Sequence, residues 1–117
     1  MSISSDNGES WSLSRKTDIP NEASVEICAM KDGKWAFAGN DINDGRYQFS
    51  IYISDDEGLT WKWKEIIEYD ADKKGSFSYP SMIQTSDGLL NISYSYSMGE
   101  GKKTIKHVVI DPGRIVK

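Results

Sequence analysis

A single cysteine, Cys28, stands in a chain of 117 residues, so no intrachain disulfide can staple the fold. Its neighbours Ile27 and Ala29 are those of a buried thiol in a strand. No run of about 18 apolar residues occurs, which excludes a membrane-spanning helix and leaves no membrane partner to expect. The N-terminus has no basic stretch leading into an apolar one, so it reads as lacking an export signal. Helical periodicity is missing too: no window keeps apolar residues at i, i+3, i+4 and i+7 for three turns. A basic stripe is also absent. Fourteen Lys and Arg against 18 Asp and Glu give a net charge of −4. The lysines between Lys62 and Lys106 are scattered among acids, the pattern of a solvated surface, and this excludes a nucleic-acid partner.

What the chain does have is short β-rich runs punctuated by turn dipeptides. Asp32-Gly33 and Asp87-Gly88 each stand between two such runs, a strong hairpin signal. From Gln48 to Ser54, Phe49, Ile51 and Ile53 alternate with Gln48, Ser50 and Tyr52, the period of a half-buried strand. Eight strands are predicted, over residues 10–18, 24–30, 34–39, 47–54, 60–68, 80–85, 89–97 and 104–110, the last stopped by Asp111-Pro112-Gly113. The fold class is all-β, and the length suits one small domain.

One phrase is written twice. The chain opens MSISSDNGESW and reads IYISDDEGLTW fifty residues later, so Ser4, Asp6, Gly8, Ser10 and Trp11 align with Ser54, Asp56, Gly58, Thr60 and Trp61. These residue types build a turn. The Asp carboxylate accepts from turn N–H groups, Gly adopts positive φ, the Ser or Thr hydroxyl adds a local bond, and the Trp ring packs the turn onto its sheet. Asp55-Asp56-Glu57-Gly58 is rich in oxygen ligands, but the remaining ligands and distal Glu of a calcium loop are missing. No metal and no cofactor is expected.

The phrase resembles the Asp box, S-x-D-x-G-x-[ST]-W, of sialidase-like β-propellers, and both copies match every defined position. The stretch from Gly45 through Arg46 to Trp61 is similar to the family pattern in which an arginine leads into an Asp-box hairpin. The stretch from Phe77 to Leu90 is similar to the Tyr-Ser segment that follows it, and Ile105–Pro112 resembles the C-terminal end of bacterial BNR-repeat, neuraminidase-like proteins. The resemblance implies a β-propeller of which this chain holds about two four-stranded blades out of six. They divide into a blade fragment over residues 1–20, a complete blade over 21–70 and a last blade over 71–117.

It also implies a site. Sialidases clamp the substrate carboxylate with three arginines and use a tyrosine nucleophile, and the resemblance puts Arg46 at the third arginine and Tyr79 at the nucleophile. Guanidinium grips a carboxylate through two parallel hydrogen bonds, and a neutral phenol approaches an anionic sugar without repulsion. Two departures stand out: Pro80 follows Tyr79 where the family has Ser, and the expected glutamate is replaced by Ser93-Tyr94-Ser95-Tyr96. His107, the one histidine, is a candidate for proton transfer or sugar contact, and Asn40, before the Arg46 loop, for orienting a ligand.

The expected partner is a glycan. Three functions stay open: part of a hydrolase acting on terminal acidic sugars, a relative that cleaves by elimination, or a binding propeller without turnover. The family's usual setting is the periplasm or cell exterior. Two blades leave bare faces that a propeller must cover. Either three copies close a six-bladed ring head to tail, or the chain is a piece of a longer one.

Overall fold

A computed structural model describes all 117 residues. Seven strands follow one another: β1 (Glu26–Ala29), β2 (Trp35–Gly39), β3 (Gln48–Ser54), β4 (Trp63–Tyr69), β5 (Ser76–Gln84), β6 (Leu90–Ser97) and β7 (Thr104–Ile110). No α-helix forms, and Pro112–Arg114 makes a single 3-10 turn. The strands build two antiparallel meanders whose spatial order is the chain order, β1-β2-β3-β4 and β5-β6-β7. Asp32-Gly33 and Asp87-Gly88 close hairpins as expected, with Gly33 at φ 88° and Gly88 at φ 85°.

Two expectations are corrected. Residues 10–18 form no strand, so the chain has seven strands and not eight, while the second sheet holds the three strands expected after residue 71. The segment's backbone pairs only with Met1–Ile3: Ser12 N donates to Ile3 O at 2.8 Å, Arg15 N to Met1 O at 2.9 Å and the Met1 amino group to Arg15 O at 2.5 Å. Three such bonds at two positions do not make a ladder. The second correction concerns β5, which begins at Ser76 and not at Pro80. Its pairing with β6 jumps between Ser78 and Ser81. Proline has no N–H for a ladder, and a β-bulge is where a strand tolerates it.

The core lies between the two sheets. Phe49, Ile51 and Ile53 on β3 meet Phe77, Leu90, Ile92 and Tyr94 from the second sheet, all essentially without solvent contact. Phe49 stacks on Tyr94 with ring centroids 4.6 Å apart. Burying side chains of this size stabilises the fold by about 1.5–3 kcal/mol each. One polar tie crosses the same interface: the Tyr94 hydroxyl donates to Glu68 Oε1 at 2.6 Å, and Lys106 pairs with the same carboxylate. Burial, and then the neighbouring Glu68 charge, push the Tyr94 phenol well above its ordinary pKa. Cys28 is half-buried at the margin of this core and not enclosed by it.

Both Asp boxes fold alike. In the second, the Ser54 hydroxyl donates to Asp56 Oδ1 at 2.7 Å and accepts from Gly58 N at 2.8 Å. Thr60 donates to Asp56 through its N–H at 2.8 Å and its hydroxyl at 2.6 Å. In the first, Ser4, Asp6, Gly8 and Ser10 repeat the set at 2.8, 2.8, 2.9 and 2.5 Å. The tryptophans differ. Trp61 packs edge-on to Phe37 at 5.6 Å. Trp11 is 64% exposed, so it does not pack its turn onto a sheet as expected.

Hydrogen bonds from the Ser10 and Thr60 hydroxyls and N–H groups, then from Ser4 and Ser54, lower the Asp6 and Asp56 carboxyls from 3.8 to about 2. A carboxyl whose pKa is depressed by folding stabilises the fold above its unfolded pKa, and that contribution is lost as pH falls through the folded one. Carboxyl NMR titration is expected to give Asp56 a midpoint near 2, with the box contribution whole above 3.8. A midpoint at the ordinary value would refute the hydrogen-bond set.

Candidate functional site

The site is built where the two sheets begin to diverge. Leaving β2, the chain turns inward at Asn40, which has no solvent contact. Its Nδ2 donates to the carbonyls of Gln48 and Phe77, both at 2.7 Å. Phe77 N in turn donates to Arg46 O at 2.8 Å. The residues entering β3 and those entering β5 are thereby clamped together. Arg46 sits just ahead of β3, and Tyr79 sits in the β5 bulge.

Tyr79 takes φ 55°, an unusual backbone for a bulky residue and one that costs on the order of 1–3 kcal/mol. The bulge turns its ring outward, 58% exposed. The Arg46 guanidinium carbon lies 4.9 Å from the ring centroid, in cation–π range. Together they border a recess of about 150 Å³ whose floor carries Ser76, Ser78, Ser95 and Ser97 and whose rim carries Lys103. Neither Arg46 nor Lys103 is within ion-pair distance of a carboxylate, and no Asp or Glu lines the recess. Arg46 beside the phenol, with the Lys103 charge behind it, lowers the Tyr79 pKa below the ordinary tyrosine value. A pocket with two free cations, an acidified phenol and four hydroxyls suits an anionic, polyhydroxylated ligand.

Residues 1–92 match the family model described as a BNR repeat-like domain. The chain belongs to that family. No curated protein matches it. Both Asp boxes, Arg46 and Tyr79 fall inside the matched BNR repeat-like residues, whereas Ser95, Ser97, Lys103 and His107 lie beyond them.

Of the four site candidates in this BNR-repeat chain, the fold brings Arg46 and Tyr79 together. Asn40 is enclosed, its Nδ2 held on the Gln48 and Phe77 carbonyls, and acts as a clamp between the two strands. His107 is elsewhere, on the open face of β5-β6-β7, with Nε2 3.0 Å from Asn91 Oδ1. No cluster of three His, Cys, Asp or Glu side chains with metal-binding geometry occurs.

Sequence reasoning missed Lys103 and the serines. The serines had a signal: Ser76 and Ser78, then Ser93, Ser95 and Ser97, recur at period two opposite Phe77, Tyr94 and Tyr96. It also missed Asp41, whose side chain is 1% exposed and pairs with Lys64 at 2.5 Å. Asp41 further accepts from Gln48 at 2.9 Å, Ser50 at 2.7 Å and Tyr52 at 2.9 Å. Burial raises this carboxyl, but Lys64 and the three donors outweigh it, and the net pKa is lowered. The network is fully satisfied and lies on the β3 face turned away from the core.

Two outcomes are expected. Asn40→Ala leaves two buried carbonyls without their donor and destabilises the fold by about 2–4 kcal/mol in chemical denaturation. In an ultraviolet pH titration, Tyr79 ionises below the ordinary tyrosine range, and Arg46→Ala returns it to that range. An Arg46→Ala curve identical to wild type would remove the Arg46–Tyr79 coupling.

Proposed function

We propose that this chain supplies part of the glycan-binding centre of a sialidase-like β-propeller, recognising a sugar that carries a carboxylate. The observation that carries the reading is the unpaired Arg46 guanidinium beside the outturned Tyr79 over a serine-lined recess. Arg46 holds the carboxylate in a two-pronged hydrogen bond, Lys103 adds long-range attraction, and the serine hydroxyls exchange hydrogen bonds with sugar hydroxyls. Successive antiparallel sheets in chain order are what consecutive propeller blades look like, and the apolar residues left open on the outer faces support further blades beside them.

Tyr79 occupies the nucleophile's place by resemblance. Turnover through it needs a carboxyl group to move protons, and none borders the recess. Recognition without hydrolysis is therefore the behaviour we assign to this chain by itself. A second reading, elimination on a uronate-containing glycan, draws support from the acidified Tyr79 phenol, which suits a base that takes a proton beside a neutralised carboxylate.

Titration calorimetry with N-acetylneuraminic acid, glucuronic acid and galactose tests the proposal. Acidic sugars are expected to bind and galactose not to, with Arg46→Ala weakening the acidic sugars at least about tenfold, the loss of a charge-assisted pair. Equal binding of galactose, or an unchanged Arg46→Ala, would overturn it. Release of free sugar from an aryl sialoside would overturn the binding-only assignment, and a new ultraviolet band from a C4=C5 double bond would select elimination.

A further inference from the structure

The recess of Arg46 and Tyr79 has a neighbour. β6 and β7 are joined by a loop over residues 98–103, and against this loop lies a second recess of about 290 Å³. Its walls include Tyr96, Met98, Glu100, Lys102, Lys103 and Thr104. Tyr96 and Lys103 also border the first recess, so the two hollows share a wall. Size bears on what they hold. At about 150 Å³ the first falls well short of the roughly 300 Å³ at which ordinary ligand pockets begin, and the second falls just short of it. Joined, the two pass it.

The loop is seated on both hollows' surroundings. Gly99 N donates to the Ser97 hydroxyl at 3.2 Å, and Ser97 belongs to the floor of the first recess. Gly99 also faces Lys74: a Cβ on Gly99 would lie 3.7 Å from the Lys74 Cβ and carbonyl oxygen. Lys74 is fixed in its turn, because the N–H groups of Asp72, Lys74 and Gly75 all donate to the Asp70 carboxylate, at 3.1, 2.8 and 2.6 Å.

Within the loop, three successive residues take left-handed backbone: Gly99, Glu100 and Gly101, at φ 92, 58 and 70°. Tight hairpin turns of this hand favour Gly, Asn or Asp, and Glu100 is none of these. Each recess thus has one strained side chain at its border, Tyr79 at the first and Glu100 at the second. Glu100 and Lys102 line the same hollow, yet neither forms an ion pair. An open carboxylate and an open ammonium together suit the hydroxyls of a neutral sugar, which both donate and accept. Met98, 49% exposed, offers apolar surface to the C–H face of a ring. A second acidic sugar would meet the Glu100 charge.

We propose that the β6–β7 loop builds a second sugar subsite, so that the chain reads an acidic sugar together with the neutral sugar linked to it. The acidic residue occupies the recess of Arg46 and Tyr79, and the linkage passes Lys103. The neutral residue lies among Glu100, Lys102 and Met98, its hydroxyls donating to the carboxylate and accepting from the ammonium. The proposal rests on the acidic-glycan reading of the first recess and adds the residues that set ligand length.

Titration calorimetry on the full chain tests it with N-acetylneuraminic acid and glucuronic acid, each free and each linked to galactose or N-acetylglucosamine, and with the N-acetylneuraminic acid dimer. For the acid that binds, the linked form is expected to bind at least about tenfold tighter than the free one, as charge-assisted contacts are added. Glu100→Ala and Lys102→Ala, both at exposed loop positions, are each expected to keep wild-type circular dichroism. Each brings the linked form back to the affinity of the free acid and leaves the free acid unchanged, whereas Arg46→Ala weakens both forms. The dimer gains nothing over the free acid. A linked form no tighter than the free acid, with Arg46→Ala still weakening the latter, would overturn the second subsite and leave the first reading standing. So would a gain that either loop variant leaves whole. A dimer that binds more tightly than the neutral-linked form would overturn the neutral occupant. Failure of both acids to bind in any form would overturn the reading and the subsite together.

Discussion

One amide group holds the architecture together. The Asn40 Nδ2 bridges the carbonyl of Gln48, at the start of the third strand of the first sheet, to that of Phe77, at the start of the second sheet. Buried backbone carbonyls need partners, and here one side chain satisfies two of them across a sheet boundary. The clamp ties the entry of β3 to the entry of β5. The same two sheets also meet through the Phe49–Tyr94 stack and the Glu68 tie to Tyr94 and Lys106, and Arg46 approaches Tyr79 beside the clamp. Core apolar contacts are non-directional, and the amide supplies direction.

The Asp boxes show how a local module is used twice to different effect. Ser, Asp, Gly and Ser or Thr satisfy one another within eight residues in both copies, so the turn is self-sufficient. Its value to the fold depends on what it joins. The second box links two strands that pair over their length, and Trp61 seats it against Phe37. The first closes a hairpin with three backbone bonds and leaves Trp11 in solvent. Arg15 reaches back to Gly58 O at 3.0 Å, so the first hairpin is moored to the second box and not to a sheet.

Polar groups divide into a spent set and a free set. Asp41 and Lys64 are consumed by each other and by Gln48, Ser50 and Tyr52, which makes the outer face of β3 rigid and chemically quiet. Arg46, Lys103 and the Tyr79 phenol have no such partners, and they meet where the β5 bulge breaks the ladder. Unspent charge beside strained backbone is where recognition is to be sought.

By itself the sequence determined the all-β class, the hairpins at Asp32-Gly33 and Asp87-Gly88, the Asp boxes, and the inward face of β3. Each of these is written in contiguous residues, as a turn chemistry or a period of two. The resemblance carried by the Asp-box stretch pointed to Arg46 and Tyr79. The sequence did not determine that residues 10–18 stay unpaired, because an edge needs a partner and pairing is a long-range event. It did not expose the role of Asn40, whose acceptor at Phe77 is 37 residues away. Nor did it reveal Lys103 or the serine floor, which become a site only when the β5 bulge turns Tyr79 toward them. Tertiary structure decided these points, since burial and juxtaposition belong to the packed chain and not to any stretch of it.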